Sequence, residues 1–225
     1  MRDEPVLLVH GFATSAARTW GDNGWIDLLG DAGRQVIAPD LLGHGEADKP
    51  HDPEAYAGME AHLAAHLPDR PVDAIGFSLG ARMILTLAAE DPGRFSRIVV
   101  AGVGANLFRS DGSGAIVAAV EGTGDPSNPV VQYFAGLAAQ PGVDRAALAA
   151  CMRQPRPPLD AAILGKVTCP VLVVLGDRDF AGPADPLVEA LPDATFRPLR
   201  NVDHFATPKE FTFIDAALSF LDAQI

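Results

Sequence analysis

Cysteine is scarce in this chain. Of 225 residues only Cys151 and Cys169 carry a thiol, and they form neither a CxxC pair nor a metal-ligand spacing. That argues against a disulfide framework or a structural zinc site, and two reduced thiols are expected rather than one disulfide. Positive charge is also short: 17 Lys and Arg stand against 29 Asp and Glu, for a net charge of −12. So acidic a surface repels phosphate backbones and anionic lipid, which sets aside nucleic acid and membrane as partners. No run is long and apolar enough to span a bilayer, and the apolar stretch in "MRDEPVLLVHGF" is too short for a signal peptide. The cytoplasm is the expected location. Internal repeats are lacking too. What remains is an ordinary globular composition, 48% hydrophobic and 20% charged, at a length that suits one domain with a small insertion.

Short runs rich in β-branched residues alternate with helical ones. Val6 to His10, Gln35 to Pro39, Val72 to Phe77, Arg97 to Gly102 and Val171 to Gly176 read as strands. Most lack polar alternation, as strands buried on both faces do. Thr195 to Leu199 is weaker and carries a proline, which places it near a sheet edge. Between them, Tyr56, Met59, Leu63 and Leu67 form an apolar helical stripe. Leu79 to Ala89 is apolar nearly all round and is expected to be deeply buried, ending at Asp91-Pro92-Gly93. Thr207-Pro208-Lys209-Glu210 reads as a capping box opening a last helix whose Phe211, Ile214, Leu218 and Leu221 face the core. Strand and helix in repetition predict an α/β domain with a mostly parallel central sheet flanked by helices. The alternation breaks between Ala105 and Lys166, where Gly, Ala and Pro are abundant and short helical pieces such as Asp144 to Met152 occur.

"GFSLG", residues 76 to 80, sits where the third strand passes into the buried helix. Ligands of parallel sheets bind beyond the carboxyl ends of the strands, and Ser78 lies one residue past such an end. Glycines at 76 and 80 permit a sharp turn and close approach of strand and helix, presenting Ser78 at the tip in a strained conformation. The N–H of Leu79, in the first turn of the helix, points toward whatever the serine attacks. A serine hydroxyl needs a base, and the base needs an orienting acid. Of six histidines, His204 lies in a loop between the last strand and the final helix, at the same end of the sheet. The acid is expected in "GDRDFAGP" after the preceding strand, where Asp177 and Asp179 compete.

With "HGF" after the first strand, "PDLLGHGEADKP" after the second, "GFSLG", "GDRD" and the late "DHF", nearly the whole chain resembles the α/β-hydrolase fold superfamily. The resemblance implies Ser78 as nucleophile, His204 as general base and Asp179 as the acid. It implies the backbone N–H groups of Phe12 and Leu79 as the oxyanion hole. It also implies that residues 105–165 form a helical cap between core segments 1–104 and 166–225, and that neither metal nor organic cofactor takes part. The antiparallel strand pair that usually precedes "HGF" is missing, since the first strand begins by about Val6.

Serine at 78, where epoxide hydrolases and haloalkane dehalogenases of the superfamily carry aspartate, argues against those two reactions. The expected chemistry is acyl transfer on a small, largely apolar carboxylic ester. Phe108, Ile116, Val117, Val120, Tyr133, Phe134 and Leu137 are candidates to line the pocket, with Phe108, Tyr133 and Phe134 foremost; cap self-packing is the competing role. Arg109 and Arg178 are the nearest candidates to meet an anionic substrate, although exposure on the surface is the simpler fate for both. His10 and His44 read as turn residues. His62 and His66 are a helical turn apart, but Leu63 stands where a zinc protease needs glutamate. His51 reads as an exposed loop residue. Carbon–carbon hydrolysis of a β-diketone-like acid uses the same triad, and thioester, lactone and amide bonds suit it as well. A ligand receptor with an intact triad and slow turnover, or a scaffold, are the alternatives to an enzyme.

Overall fold

Six short strands build one sheet: β1 (Val6–Val9), β2 (Val36–Ile37), β3 (Val72–Phe77), β4 (Phe95–Ala101), β5 (Val171–Gly176) and β6 (Ala194–Leu199). The computed structural model describes residues 3–109 and 113–224. The strands lie in the order β2-β1-β3-β4-β5-β6, and every pairing is parallel. No antiparallel pair precedes β1 among the described residues. β1, β3 and β5 are buried along their whole length, which is why their sequences show no polar alternation. Successive residues go to opposite layers. Leu7, Val9, Ala74, Ile98, Val100, Val171 and Val173 face one hydrophobic core; Val6, Leu8, Ile75, Val99, Leu172 and Val174 face the other. Each such Val, Leu or Ile side chain contributes about 1.5–3 kcal/mol by leaving water. β6 lies at the edge, where Thr195, Phe196, Arg197 and Pro198 are exposed, so its proline is tolerated.

Helices cover both faces: α1 (Trp25–Asp31), α2 (Met59–Ala64), α3 (Leu79–Glu90), α4 (Ser113–Glu121), α5 (Pro129–Ala138), α6 (Arg145–Arg153), α7 (Ala161–Leu164), α8 (Asp185–Ala190) and α9 (Phe211–Phe220). α3 packs against β1, β3 and β4, with Met83, Ile84 and Leu85 fully buried. Between β4 and β5 the described chain is helical, α4 to α7, with α4 packed on α5 and α6. No helix among the described residues is long and apolar enough to cross a membrane.

A buried ion pair locks the amino-terminal end of the sheet. Arg34 Nη2 donates to Asp73 Oδ2 at 2.5 Å and to the Glu4 carbonyl at 2.7 Å, while Nη1 reaches the Leu221 carbonyl at 2.8 Å. The guanidinium thus joins segments from four places in the chain.

Two local expectations need correction. The stripe from Tyr56 to Leu67 is buried throughout, but its first part is a 3-10 turn, Pro53–Tyr56, separate from α2. Pro53 follows Asp52, whose side chain accepts the Glu54 N–H at 3.0 Å and starts that turn on its own. The last helix begins at Phe211, and the capping box at Thr207 does not form. Asp203 is the reason: its Oδ1 accepts the N–H groups of Phe205 and Ala206, and its carbonyl accepts the Thr207 hydroxyl. With the Thr207 hydroxyl so engaged, the Glu210 N–H donates to the Thr207 carbonyl at 3.1 Å and closes a 3-10 turn over Thr207–Lys209, and extended backbone at Glu210 separates it from α9. Phe211 is consequently 84% exposed, while Phe213, Ile214, Leu218 and Leu221 enter the core.

Candidate active site

Between the end of β3 and the start of α3 a single residue makes the turn. Ser78 has φ 54° and ψ −113°, and its N–H donates to the Ala101 carbonyl at 2.8 Å. A non-glycine residue at positive φ costs about 1–3 kcal/mol, held here by the packing around it. The flanking glycines follow from close approach. A Cβ on Gly80 would stand 2.3 Å from the Val9 carbonyl oxygen, and one on Gly76 would stand 2.7 Å from Ala81 Cα. With no side chain at either position, α3 starts directly against β1 and β3, and the serine projects beyond the sheet.

His204 comes from the loop after β6 and is 4% exposed. Its Nε2 lies 3.0 Å from Ser78 Oγ; its Nδ1 lies 2.9 and 3.0 Å from the two oxygens of Asp179. A carboxylate only accepts, so Nδ1 carries the proton and Nε2 is left with a lone pair toward the serine hydroxyl. Asp179, in the loop after β5, is held by the Ala181 N–H at 2.9 Å. Asp177 faces away. Its Oδ1 accepts the Asn201 N–H at 2.8 Å and ties the two loops together. Neither the N–H of Phe12 nor that of Leu79 donates a hydrogen bond within the chain, among the described residues. The loop carrying Phe12 touches the elbow: a Cβ on its neighbour Gly11 would lie 3.4 Å from Ser78 Cβ.

Rings surround the histidine. Its centroid is 4.4 Å from that of Phe180, 4.9 Å from Phe77 and 5.7 Å from Phe205. Phe205 stacks on Tyr133 at 3.4 Å, and Phe134 lies 5.8 Å from Phe12. All of these rings except Phe180 line a cavity of about 120 Å³ that Ser78 and His204 share with Phe12, Phe77, Tyr133, Phe134, Leu137 and Phe205. α5 therefore brings Tyr133, Phe134 and Leu137 to the site. Phe108 does not line this cavity; its side chain packs on the core beneath. The 3-10 turn that carries it, Ala105–Phe108, is tied to the loop after β5 by Ala105 N–H to the Pro183 carbonyl and Asn106 N–H to the Ala181 carbonyl. Val120 is likewise core, and Ile116 packs against it.

Arg109 and Arg178 are exposed and stand outside the cavity lining; Arg178 reaches the Asn201 side chain at 2.8 Å. The cavity has other cations, which sequence reasoning did not find: Arg18 from the loop after β1 and Lys209 from the loop after β6, with Thr14, Thr19 and Asn23 beside them. A signal was present, because both loops follow strands whose ends face the site.

His10 and His44 are buried in the turns beside Phe12. The Nδ1–H of His10 donates to the Gly11 carbonyl at 2.7 Å and its Nε2 accepts the Leu41 N–H at 3.0 Å, a neutral ring with both nitrogens used. Burial lowers the pKa of His10, and it pushes His44 down to about 3, with His10 nearby adding to the effect. Asp40 braces the same loops, accepting the Ala16 N–H at 2.7 Å and the Glu46 N–H at 2.8 Å. His62 and His66 are exposed on and just beyond α2. His51, also exposed, sits 2.9 Å from Asp144. Both cysteines are free and buried, and burial raises Cys169 to about 11. No cluster of three or more His, Cys, Asp or Glu able to hold a metal occurs among the described residues.

A six-stranded parallel sheet with a strand–serine–helix turn at its carboxyl end has the architecture of a hydrolase-fold enzyme. Residues 4–115 match the family described as the alpha/beta hydrolase fold. The chain belongs to the α/β-hydrolase fold superfamily. It is 35% identical over 145 residues to 2-hydroxy-6-oxo-2,4-heptadienoate hydrolase of Pseudomonas putida, covering 58% of this chain and 49% of that protein. It is 36% identical over 112 residues to a non-heme chloroperoxidase of Streptomyces lividans, covering 48% and 40%. The chain thus spans half or less of the length of these curated relatives. The solved structure of the 2-hydroxy-6-oxo-6-phenylhexa-2,4-dienoate hydrolase from Rhodococcus sp. strain RHA1 superposes with a TM-score of 0.72 at 24% identity, over 97% of this chain and 89% of that one. That likeness is one of fold.

Proposed function

We propose that the protein is a serine hydrolase that cleaves a carboxylic ester or related acyl bond of a small, largely apolar substrate. The observation that carries the reading is the unbroken hydrogen-bonded line from Asp179 through His204 to Ser78. In this reading His204 Nε2 takes the Ser78 proton as Oγ attacks the carbonyl carbon. The imidazolium that results is stabilised by Asp179, which also keeps the proton on Nδ1. Negative charge gathering on the carbonyl oxygen is met by the free N–H groups of Phe12 and Leu79, each such donor being worth roughly 3 kcal/mol in the transition state. His204 then protonates the leaving group. Water attacks the acyl-enzyme with His204 again as base, and Ser78 is regenerated. The surrounding rings of Phe77, Phe180 and Phe205 keep bulk water from the imidazole and strengthen these interactions. Residues of α5 cover the pocket in the manner of a cap, and the small cavity suits a short acyl group.

A second reading rests on the 35% identity to a 2-hydroxy-6-oxo-2,4-heptadienoate hydrolase: hydrolysis of a carbon–carbon bond in a diketone-like acid, with the same residues. The test is intact-mass analysis after brief exposure to a fluorophosphonate, with the adduct mapped by digestion. One adduct on Ser78, lost in His204→Ala, supports the hydrolase; rates on activated esters and on diketone acids then rank the two reactions. Absence of any adduct and of turnover removes the enzymatic reading in favour of a ligand-binding protein.

A further inference from the structure

Two cations, Arg18 and Lys209, line the cavity beside Ser78 together with Thr14, Thr19 and Asn23, and no Asp or Glu lines it among the described residues. This stands against the composition of the chain, whose net charge is −12. Neither cation enters an ion pair among the described residues. Asp203, in the loop that leads to Lys209, is occupied by the backbone N–H groups of Phe205 and Ala206.

The backbone carrying both cations is braced. Arg18 lies in a π-helical turn, Ala17–Gly21, closed by Asp22 N–H to the Ala17 carbonyl at 2.8 Å. The Asn23 side chain holds the carbonyls of Arg18 and Thr19, at 3.3 and 2.9 Å. On the other side, the indole N–H of fully buried Trp25 donates to the Pro208 carbonyl at 2.8 Å, fixing the turn that ends in Lys209. Arg18 uses Nη2 on the Pro141 carbonyl at 3.2 Å, between α5 and α6, and its remaining side-chain donors have no partner among the described residues. A guanidinium with free donors in a cavity that a lysine also lines matches a planar carboxylate, which an arginine fork binds through two parallel hydrogen bonds.

We infer that the substrate carries a carboxylate, and that Arg18 and Lys209 receive it while the scissile carbonyl lies at Ser78. The inference rests on the reading of Ser78 as nucleophile and adds the charge of the substrate to it. Arg18 and Lys209 are then specificity residues, and the wall of Tyr133, Phe134 and Phe205 holds the apolar part between carboxylate and carbonyl.

The test compares two activated esters of similar size, p-nitrophenyl butyrate and the p-nitrophenyl monoester of succinate, on the whole chain. The expected result is a kcat/KM for the anionic ester at least ~10-fold above that for the neutral one. Arg18→Gln and Lys209→Gln are each expected to lower that ratio at least ~5-fold, chiefly through KM of the anionic ester. If Arg18 serves only to join the loop after β1 to the Pro141 loop, both esters suffer alike and the ratio stays, which overturns the inference. Wild-type protein supplies a measurement independent of how the variants fold. Raising salt from about 0.05 to about 0.5 M should depress kcat/KM for the anionic ester and leave the neutral one level. A ratio near one that salt does not change, on protein whose Ser78 takes the fluorophosphonate, overturns the carboxylate site alone. No adduct and no turnover of either ester overturns the nucleophile, and the inference falls with it.

Discussion

His204 Nδ1 lies 2.9 Å from one carboxylate oxygen of Asp179 and 3.0 Å from the other, while Asp177, two residues earlier, binds the backbone of Asn201. The two aspartates thus have separable tasks. Asp179→Asn replaces an acceptor with a group able to donate, which favours the wrong tautomer of His204 and is expected to lower kcat on an activated ester by roughly 10³–10⁴. Asp177→Asn should cost less than about 5-fold in kcat, since asparagine keeps an oxygen able to accept the Asn201 N–H and Asp177 does not touch His204. Steady-state rates of the two variants decide the assignment, and the reverse ranking rejects it.

Removing the nucleophile or the base should be equally clear. Ser78→Ala and His204→Ala are each expected to reduce kcat at least ~10³-fold, and the double variant little further, because the two act as a unit. Circular dichroism and melting should show an intact fold. Near wild-type turnover in Ser78→Ala means another residue carries the reaction.

Gly80 tests the elbow through stability instead of chemistry. An added methyl group would stand 2.3 Å from the Val9 carbonyl oxygen and 2.6 Å from that of His10, and backbone on both sides leaves no flexible atom to yield. Gly80→Ala is expected to destabilise the protein by about 3 kcal/mol or more, read as a lower urea midpoint. A midpoint unchanged from wild type would mean that α3 can slide away from β1.

Loss of stability in acid has a named source in His44 and His10. Burial holds His44 at about 3 in the folded chain against an ordinary 6.5, and lowers His10 as well. Below about 6.5 the unfolded chain therefore binds protons that the folded one refuses. Stability is full above that pH and falls as pH drops toward the folded value, by up to about 1.4 kcal/mol per pH unit for each histidine. His44→Gln should flatten the slope of unfolding free energy between about pH 4 and about pH 6 by nearly one such contribution. Denaturant titrations at several pH values measure it; equal slopes in both proteins exclude a neutral, buried His44.

Much of this architecture was legible in the residues. β1, β3 and β5 announced themselves as continuous apolar runs because both of their faces are covered, and "GFSLG" announced the elbow because only glycine fits beside Ser78. Less legible were features governed by competition between local bonds. Thr207 to Glu210 has the letters of a capping box, yet the Thr207 hydroxyl donates to the Asp203 carbonyl and the Glu210 N–H to the Thr207 carbonyl, so the box does not form and Phe211 stays in solvent. Phe108 looked like a pocket residue from its place in the helical segment. Its turn is held by the carbonyls of Ala181 and Pro183, and its ring packs on the core.

By itself the sequence determined the parallel α/β order, the buried strands and the strained serine at a strand end. These depend on neighbours in the chain: side-chain periodicity, glycine sterics and the hand of the crossover connection. The motifs already favoured Asp179 as the acid and Tyr133 and Phe134 as pocket residues. Only the tertiary structure decided that Phe108 stays out of the cavity and that Arg18 and Lys209 line it along with Asp179's partner His204. Those residues are brought together by loops following β1, β5 and β6, far apart along the chain and adjacent only once the sheet has formed. No local pattern encodes their meeting, because it is the packing of the whole sheet that sets where its loops converge.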